Sequence, residues 1–422
     1  MNKYKIIIKN YIRQLPYGKA ILISAFRSIR MISYSFLLIP IIFILRVVSV
    51  FKKIRIGFIL SARIGHLALD LDIYNSDRLR NQNKYRGAID LLFTQDRIAN
   101  RYLLDLWENN YKGYYIIEKK WRYSWLMVDI NKRMKIYNDL YIDLQRVDLD
   151  GVTVGMPSFV HIDEATNLRC KKYCHEIGIA DKYVCIHNRD SEFLNKTLPE
   201  GEDPNYHDYR DSFISNYFDA SKELSKKGYA VVRVGRIAKD RALLPNIIDY
   251  AFMPSAQSDE MDIYLLANAA FTISSSTGIS HIPFIFRKKQ LCVNMIPFLP
   301  TTVCGFMPES VILPKKIWHT KEKRLLNFSE IMRFDITIHN TGCPYRAHYL
   351  EPVENTSEEI RDAAIEMDDR LNGRANAYDD FEELQELFWS LTPNTKGWHT
   401  VREKFRFRLG SKFLYNNREI IK

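Results

Sequence analysis

The sequence predicts an α/β protein in which two parallel sheets, each covered by helices, face each other across a cleft. Short apolar runs alternate with amphipathic stretches of helical length, which is typical of parallel sheets with helices on both faces. The alternation begins after Lys53 and starts again at Tyr183, so we expect two sheets. At 422 residues and 46% hydrophobic composition, the chain is long enough for two or three domains.

Strand and helix signals of the first half predict an N-terminal α/β domain at residues 54–170. The apolar run IRIGFIL is followed by SARIGHLALDLDIY, which turns through Gly65 into a helix. The segment DLLFTQDRIANRYLLDLWENN repeats this order, with a strand at Leu91–Phe93 and then a helix. The segments KIYNDLYIDL and GVTVGMPSFVHI are interpreted as connecting pieces.

The second half predicts another α/β domain at residues 171–350 and a helical extension at 351–422. Its strands are predicted at YVCIH, YAVVRVG, IIDYAF, FTISSS and KQLCVNMIP. The amphipathic helix FISNYFDASKELSKKG ends at Gly228, a helix C-cap. In the extension, Thr356 and Glu359 have the spacing of a capping box. We expect the tail SKFLYNNREIIK to fold back onto the body.

Positive charge is concentrated at the N-terminal end. The first acidic residue is Asp70, and twelve of the 61 Lys and Arg residues precede it, so the rest of the chain is close to neutral despite a net charge of +11. This distribution argues against a nucleic-acid enzyme with a long basic groove. It favours contact between the N-terminal segment and anionic lipid.

Residues 1–53 are interpreted as a membrane-associating segment. Its apolar part, Met31–Phe51, carries one charge, Arg46, and has basic residues on both sides. The length just suffices to cross a bilayer, although Pro40 and Arg46 are unfavourable in hydrocarbon. The pattern favours an interfacial or hairpin-like anchor. A single span and a helix packed on the protein itself are the alternatives.

The cysteines do not predict a zinc site. Of the six, Cys170 and Cys174 are separated by one helical turn, but no second pair of ligands follows at a suitable spacing. We interpret them as reduced, mostly buried thiols of a cytoplasmic protein.

Three predicted strands end in polar side chains. Parallel α/β sheets bind nucleotides at the edge where their strands end. A helix N-terminus with hydroxyls beside it is suited to phosphate, and arginine binds phosphate with two hydrogen bonds. We therefore predict that a sugar diphosphate is bound here, with Arg189 as the charge partner. The predicted donor-binding residues are His187, Asp190, Arg233, Gly235, Arg236, Ser275, Ser276, Thr277 and Gly278. The alternatives are a helix cap without a ligand and arginines paired with acidic surface residues.

His66 is the predicted general base. It follows the first strand, and Asp70 lies one helical turn further on, where it could orient the imidazole. A histidine that only caps the helix is the alternative. The residues His207, Asp208, Tyr209 and Arg210 are interpreted as a loop that covers the donor.

Five segments together resemble a family of bacterial glycosyltransferases from surface-polysaccharide gene clusters. These segments are YVCIHNRDSEFL, HDYRDSFISNYFDASKELSKKGYAVVRVG, IIDYA, DEMDIYLLANAAFTISSSTGISHIP and FLYNNREI. The resemblance extends from about Ile56 to the C-terminus. A His-x-Arg strand end and a Ser-x-Gly helix start are also similar to the fucosyltransferase-like branch of the GT-B enzymes.

The resemblance implies a GT-B fold with two Rossmann-like domains. A nucleotide-sugar donor would bind to the C-terminal domain, and a glycan acceptor, lipid-linked, would bind against the N-terminal one. The implied enzyme acts in capsule or O-antigen synthesis at the cytoplasmic face of the bacterial inner membrane. GT-B enzymes usually need no bound metal, and the only close Asp-x-Asp pairs here are Asp70–Asp72 and Asp148–Asp150. No cofactor is therefore expected.

In the implied mechanism Arg189, Arg233 and the amides of Thr277–Gly278 neutralise the leaving diphosphate. His66 acts as the base if the reaction inverts the anomeric centre. A membrane-tethered protein that binds glycan or a partner enzyme without turnover is one alternative. A sugar phosphotransferase that uses the same anion pocket is another.

Overall fold

The computed structural model describes residues 39–40, 42–110, 113–118, 139–145, 147–197, 208–337 and 344–421. The chain is organised as two compact units. The first comprises Met1–Phe58, Tyr85–Asp96 and Gly113–Asp143, and the second comprises Ile59–Lys84, Arg97–Lys112 and Leu144–Lys422. Residues 31–38 and 41 of the apolar segment, as well as His207 and Cys343, lie outside the described residues.

The first unit contains a parallel sheet. Its strands are β1 (Ile54–Phe58), β2 (Ile89–Phe93), β3 (Tyr114–Ile117) and β4 (Tyr141–Ile142), in the order β3-β2-β1-β4. Strand β4 forms within a segment that we interpreted as a connecting piece. Helix α1, residues 42–51, precedes β1, and its Leu45 is buried with Phe58, Leu140 and Tyr141.

The second unit is built around a seven-stranded sheet whose pairs are all parallel. Its strands are β5 (Tyr183–His187), β6 (Ala230–Arg233), β7 (Ile247–Ile248), β8 (Thr272–Ser274), β9 (Gln290–Met295), β10 (Val311–Pro314) and β14 (Arg408–Leu409). The order is β14-β10-β9-β8-β5-β6-β7. The chain therefore builds outwards from β5 through β6 and β7, and then returns to β8 on the other side of β5. The prediction of an α/β fold with two parallel sheets is confirmed.

A small antiparallel sheet is formed by residues that follow β10 in the chain. It has the order β12-β11-β13 and is formed by β11 (Lys316–His319), β12 (Arg324–Leu325) and β13 (Leu350–Val353).

The helices connect the strands and contribute the remaining core. After α1 they are α2 (Ile64–Arg80), α3 (Gln82–Tyr85), α4 (Arg101–Asn110), α5 (Glu164–Glu176), α6 (Glu192–Thr197), α7 (Phe218–Lys226), α8 (Asp259–Asn268), α9 (His281–Ile285), α10 (Pro300–Val303), α11 (Phe328–Thr337), α12 (Pro344–Ala347), α13 (Ser357–Leu371), α14 (Glu382–Leu391), α15 (Lys396–Lys404) and α16 (Ser411–Asn416). None of the helices in the described part of the chain is long and apolar enough to span a bilayer.

The compact units do not follow the linear boundaries that we predicted from the sequence. Helices α2 and α4 lie in the predicted N-terminal domain, 54–170, but they pack in the unit of the seven-stranded sheet. Helix α2 packs on α9, where Gly65 and Gly278 allow the two backbones to approach closely. The region 351–422 belongs to the same unit and supplies β14 at the edge of the sheet.

Local signals near the C-terminus and the cysteines agree with the structure. Helix α13 begins with the predicted capping box, since the Thr356 hydroxyl accepts from the Glu359 amide and the Glu359 carboxylate accepts from the Thr356 amide. The five described cysteines are free and buried.

Candidate active site

The strand ends that carry the predicted site are adjacent in the second sheet. Strand β5 lies between β6 and β8, and Ile186 pairs with Arg233 while His187 pairs with Ser274. The three strands are parallel, so their carboxyl ends share one edge of the sheet. The strand order reverses between β5 and β8, and open α/β sheets bind ligands at such a point.

The end of β8 and the segment after it contain buried hydroxyls that have no hydrogen-bond partner among the described residues. They belong to Ser274, Ser275 and Thr277. A buried hydroxyl without a partner costs roughly 1–3 kcal/mol, so a cluster of three needs a physical reason. A polar ligand that accepts from these hydroxyls is such a reason.

One arginine side chain contacts this segment, and a second arginine follows the end of β5. The Arg210 guanidinium donates to the carbonyl oxygen of Ser276. The Arg189 Nε lies 3.2 Å from Asp211 Oδ1, and the Arg189 side chain is 16% exposed. Burial raises the pKa of Asp211 to about 6, although the charge of Arg189 acts in the opposite direction. Arg210 thus bonds to the segment that carries the hydroxyls, and Arg189 pairs with Asp211.

Arg233 ends β6 at this edge, as the sequence predicted, and its side chain contacts groups of the protein itself. Its side chain is 2% exposed, and its Nη2 donates to Asn188 Oδ1 at 3.0 Å. The same guanidinium donates to the Asp240 carbonyl and lies 3.6 Å from the Asp249 carboxylate. These contacts hold Asn188 and the end of β6, and the predicted role of Arg233 in donor binding stays a prediction.

Arg236 and Asp190 are also engaged by the protein itself. Arg236 forms ion pairs with Asp259 and Asp262. The Asp190 carboxylate accepts from the backbone amides of Glu192 and Lys239. Both residues stabilise loops at the edge of the sheet, and their predicted contact with the donor stays a prediction.

His187 and Gly235 form one contact between neighbouring loops. The His187 Nδ1–H donates to the carbonyl oxygen of Val234 at 3.2 Å, and burial lowers the pKa of His187 to about 4. The imidazole is therefore neutral near pH 7. Gly235 has a φ of +133°, and a Cβ there would lie 3.5 Å from His187 Nδ1. A glycine at this position is explained by the positive φ and by the nearby imidazole ring of His187. Neither explanation requires a ligand.

Gly278 contacts the chain's own backbone. A Cβ at Gly278 would lie 3.0 Å from the Gly65 nitrogen, and a Cβ at Gly65 would lie 2.8 Å from the Gly278 Cα. We predicted that this glycine opens a helix that binds phosphate. The structure instead has a three-residue 3-10 turn, Gly278–Ser280, followed by the short helix α9. The space left by the missing side chain accommodates the start of α2.

This contact brings the predicted base to the edge of the sheet. His66 lies next to Gly65 in the first turn of α2, and its Nδ1 is 3.1 Å from Asp70 Oδ2. The His66 side chain is 40% exposed, whereas that of Asp70 is 5% exposed. A buried carboxylate that accepts from Nδ1–H leaves Nε2 as the proton acceptor, which is the tautomer a general base needs.

His281 is a site residue that the sequence analysis missed. Its Nδ1–H donates to the Gly65 carbonyl oxygen at 3.3 Å, so it joins the segment after β8 to α2. Burial lowers the pKa of His281 to about 4, and the charges of His66 and Arg210 act in the same direction. The imidazole thus lies within the electrostatic reach of both the base and the cation. His281 belongs to the apolar run HIPFIF, and a histidine in such a run is usually a buried core residue. The sequence pattern therefore did not mark it as a site residue.

The two Asp-x-Asp pairs have partners within the protein. Asp72 is fully buried and forms an ion pair with Arg287, with both carboxylate oxygens at 2.9 Å from the guanidinium. Asp148 accepts from the amides of Val152 and Thr153 and from the Thr153 hydroxyl. No cluster of three His, Cys, Asp or Glu suited to a metal occurs within the described ranges.

The architecture defines the second unit as an open, doubly wound α/β domain with a polar site at its strand-order reversal. Several solved structures align with the chain at low similarity. A family 9 glycosyl transferase from Veillonella parvula DSM 2008 has a TM-score of 0.38 and 9% identity, over 62% of this chain and 87% of that one. The E. coli heptosyltransferase WaaC with ADP has a TM-score of 0.33 and 11% identity, over 62% and 93%. E. coli ADP-heptose lps heptosyltransferase II has a TM-score of 0.30 and 15% identity, over 61% and 86%. No family profile and no curated protein matches the sequence.

Proposed function

We propose that the chain is a glycosyltransferase that moves a sugar from a nucleoside diphosphate sugar to the hydroxyl group of a glycan acceptor. The observation that carries this proposal is the contact between Gly65 and Gly278. The His66–Asp70 pair thereby lies close in the fold to buried hydroxyls that have no partner in the described part of the chain, at the strand-order reversal of a parallel sheet. The sequence resemblance to polysaccharide glycosyltransferases supports the same conclusion.

The donor's diphosphate occupies the hydroxyl cluster. Ser275 and Thr277 donate to its oxygens, and the unpaired hydroxyls thereby gain acceptors. Arg210 and Arg189 supply positive charge at the point where negative charge develops on the leaving diphosphate. In this assignment Arg210 takes the role first predicted for Arg233, whose guanidinium contacts Asn188, Asp240 and Asp249.

His66 handles the proton of the acceptor. Asp70 holds the proton on Nδ1, so Nε2 removes the proton from the acceptor hydroxyl as its oxygen attacks the anomeric carbon. The new C–O bond forms while the bond from the anomeric carbon to the diphosphate breaks, and the diphosphate leaves with the electron pair. This arrangement of base and leaving group serves an inverting transfer. The donor is a co-substrate, and no resident cofactor is assigned.

The acceptor in this proposal is a lipid-linked glycan of a capsule or O-antigen pathway, used at the cytoplasmic face of the bacterial inner membrane. The excess of positive charge before Asp70 supports a location near anionic lipid.

A panel of nucleotides tests the proposal. Thermal stabilisation of the wild-type protein is measured with ADP, UDP and GDP, and then with the corresponding nucleoside diphosphate sugars. The proposal predicts that at least one nucleotide stabilises the protein, and that its sugar conjugate is turned over with release of the nucleoside diphosphate. His66→Gln should retain nucleotide binding and lose turnover.

The two alternative functions give different results in the same experiment. A protein that binds glycan without turnover shows no hydrolysis or transfer with any donor. A sugar phosphotransferase releases a nucleoside monophosphate. Either result contradicts the proposal.

A further inference from the structure

Helix α1 has apolar side chains on two opposite faces. An α-helix turns by about 100° per residue, so Ile42 and Leu45 lie on one face and Phe43, Val47 and Val50 on the other. The first face packs against the core of the first unit, where Leu45 is 8% exposed. The second face is largely uncovered by the described residues.

The uncovered face is large and apolar. Its side chains are Phe43 (68% exposed), Ile44 (58%), Val47 (47%), Val50 (80%) and Phe51 (87%), and Ile39 (61%) precedes them. Single exposed apolar residues are ordinary on protein surfaces, but a contiguous stripe of this length indicates an interaction site.

The charge at the end of the helix indicates which partner fits. Lys52 and Lys53 are exposed and follow Phe51 directly. No acidic residue precedes Asp70 in the chain, so the same end of the protein is strongly basic. An anionic lipid bilayer has an apolar acyl layer that suits the exposed face of α1 and negative headgroups that attract the basic residues. An apolar protein surface would match the apolar face alone.

We propose that α1 binds to an anionic lipid bilayer and lies parallel to its surface, with Phe43, Val47 and Val50 in the acyl layer and Lys52 and Lys53 at the headgroups. The packing of Leu45 in the protein core explains the orientation, because that face of the helix is not available to lipid. Only two residues separate α1 from β1, and β1 is a central strand of its sheet. The folded first unit is therefore held against the membrane. This inference does not depend on the proposed transferase activity.

The experiment compares binding of the full-length protein to vesicles of phosphatidylglycerol and phosphatidylcholine with its binding to vesicles of phosphatidylcholine alone. We expect flotation with the anionic vesicles, and less of it as salt rises from 0.1 to 0.5 M, roughly the range over which surface charges are screened. The triple variant Phe43→Ser, Val47→Ser, Phe51→Ser should bind at least about tenfold more weakly. It retains every basic residue, so its loss of binding measures the apolar face alone.

Two controls separate this face from general effects. Leu168→Ser removes an equally exposed apolar side chain (63%) on α5 and should bind vesicles as the wild type does. The variant Lys52→Gln, Lys53→Gln should lose most of the preference for anionic vesicles.

A second measurement does not depend on the stability of the triple variant. A polarity-sensitive fluorophore on Val47→Cys should shift to shorter wavelength when anionic vesicles are added, and the same label on Leu168→Cys should not. The proposal is overturned if the triple variant binds like the wild type or if the label at position 47 stays in a polar environment. It is also overturned if the wild type is a dimer without lipid and the triple variant is a monomer, because the face would then be covered by a second copy.

Discussion

Replacing Gly65 by alanine should separate the two halves of the site. The added Cβ would lie 2.8 Å from the Gly278 Cα and 3.0 Å from His281 Nδ1. The first distance is about 0.6 Å below an ordinary contact of 3.4 Å, and the obstacle is backbone, so α2 and the turn at Gly278 must move apart. Overpacking of this kind costs about 1–3 kcal/mol in the free energy of unfolding.

The effect on activity should exceed the effect on binding. His66 follows Gly65 directly, so its Nε2 is displaced from the acceptor, whereas the buried Ser275 lies three residues before Gly278 and should move less. A shift approaching 1 Å in a catalytic group lowers the rate by about 10²-fold. We expect kcat to fall by about 10- to 100-fold with a small change in nucleotide affinity. The assays are urea unfolding, nucleotide titration and sugar transfer well below the melting temperature.

Gly228→Ala is the matched control. Gly228 has a φ of +82°, and no atom lies within 4 Å of an added Cβ, so the variant carries backbone strain of about 1 kcal/mol without a steric overlap. It should be destabilised and remain active. If Gly65→Ala transfers sugar at the wild-type rate, the close contact does not position the base, and the proposed mechanism is refuted.

Three further predictions concern side chains of the site. Asp70→Asn should lower kcat by about 10²–10⁴-fold with unchanged nucleotide affinity, because the base loses its orienting carboxylate; activity equal to the wild type would remove His66 from the mechanism. Arg233→Ala should lower the free energy of unfolding by about 3 kcal/mol in urea, because it leaves Asp249 and Asn188 without their buried partner, whereas the more exposed Arg236→Ala should cost about 1 kcal/mol. A folded Arg233→Ala protein of normal stability that has lost nucleotide binding would instead restore the original assignment. His281 has a pKa of about 4 in the folded protein against 6.5 as the ordinary value, so the unfolded chain binds its proton more readily between these pH values. The stability of the wild type relative to His281→Gln should therefore be greatest above pH 6.5 and fall by up to about 1.4 kcal/mol per pH unit towards pH 4; a difference that does not change with pH would contradict the assignment.

The sequence predicted the elements that depend on local pattern. The strands predicted at Leu91–Phe93, YVCIH and FTISSS overlap the observed strands β2, β5 and β8, and the sheet edge at which they end follows from parallel pairing. The His66–Asp70 contact was also predictable, because a spacing of four residues in a helix fixes the distance between side chains.

The roles of Arg233 and Gly278 depend on partners that sequence spacing does not reveal. The run VVRV is compatible with an arginine that points to solvent or into the protein, and the choice depends on the amide of Asn188, 45 residues away in the chain. A glycine in the sequence can indicate that another atom packs closely against the backbone, but it does not show which atom that is. At Gly278 that atom is the backbone of Gly65, more than 200 residues earlier.

The most direct test of the site compares nucleotide titrations of Thr277→Val and Thr272→Val. Both replacements remove a buried hydroxyl without a described partner and keep the shape of the side chain, so neither should reduce the stability of the free protein. Thr277 follows the end of β8 at the edge of the sheet, whereas Thr272 begins that strand. We predict that Thr277→Val binds the nucleotide diphosphate at least about tenfold more weakly and that Thr272→Val binds it like the wild type. Equal affinity in the two variants would contradict the claim that the hydroxyls after β8 hold the donor's phosphates.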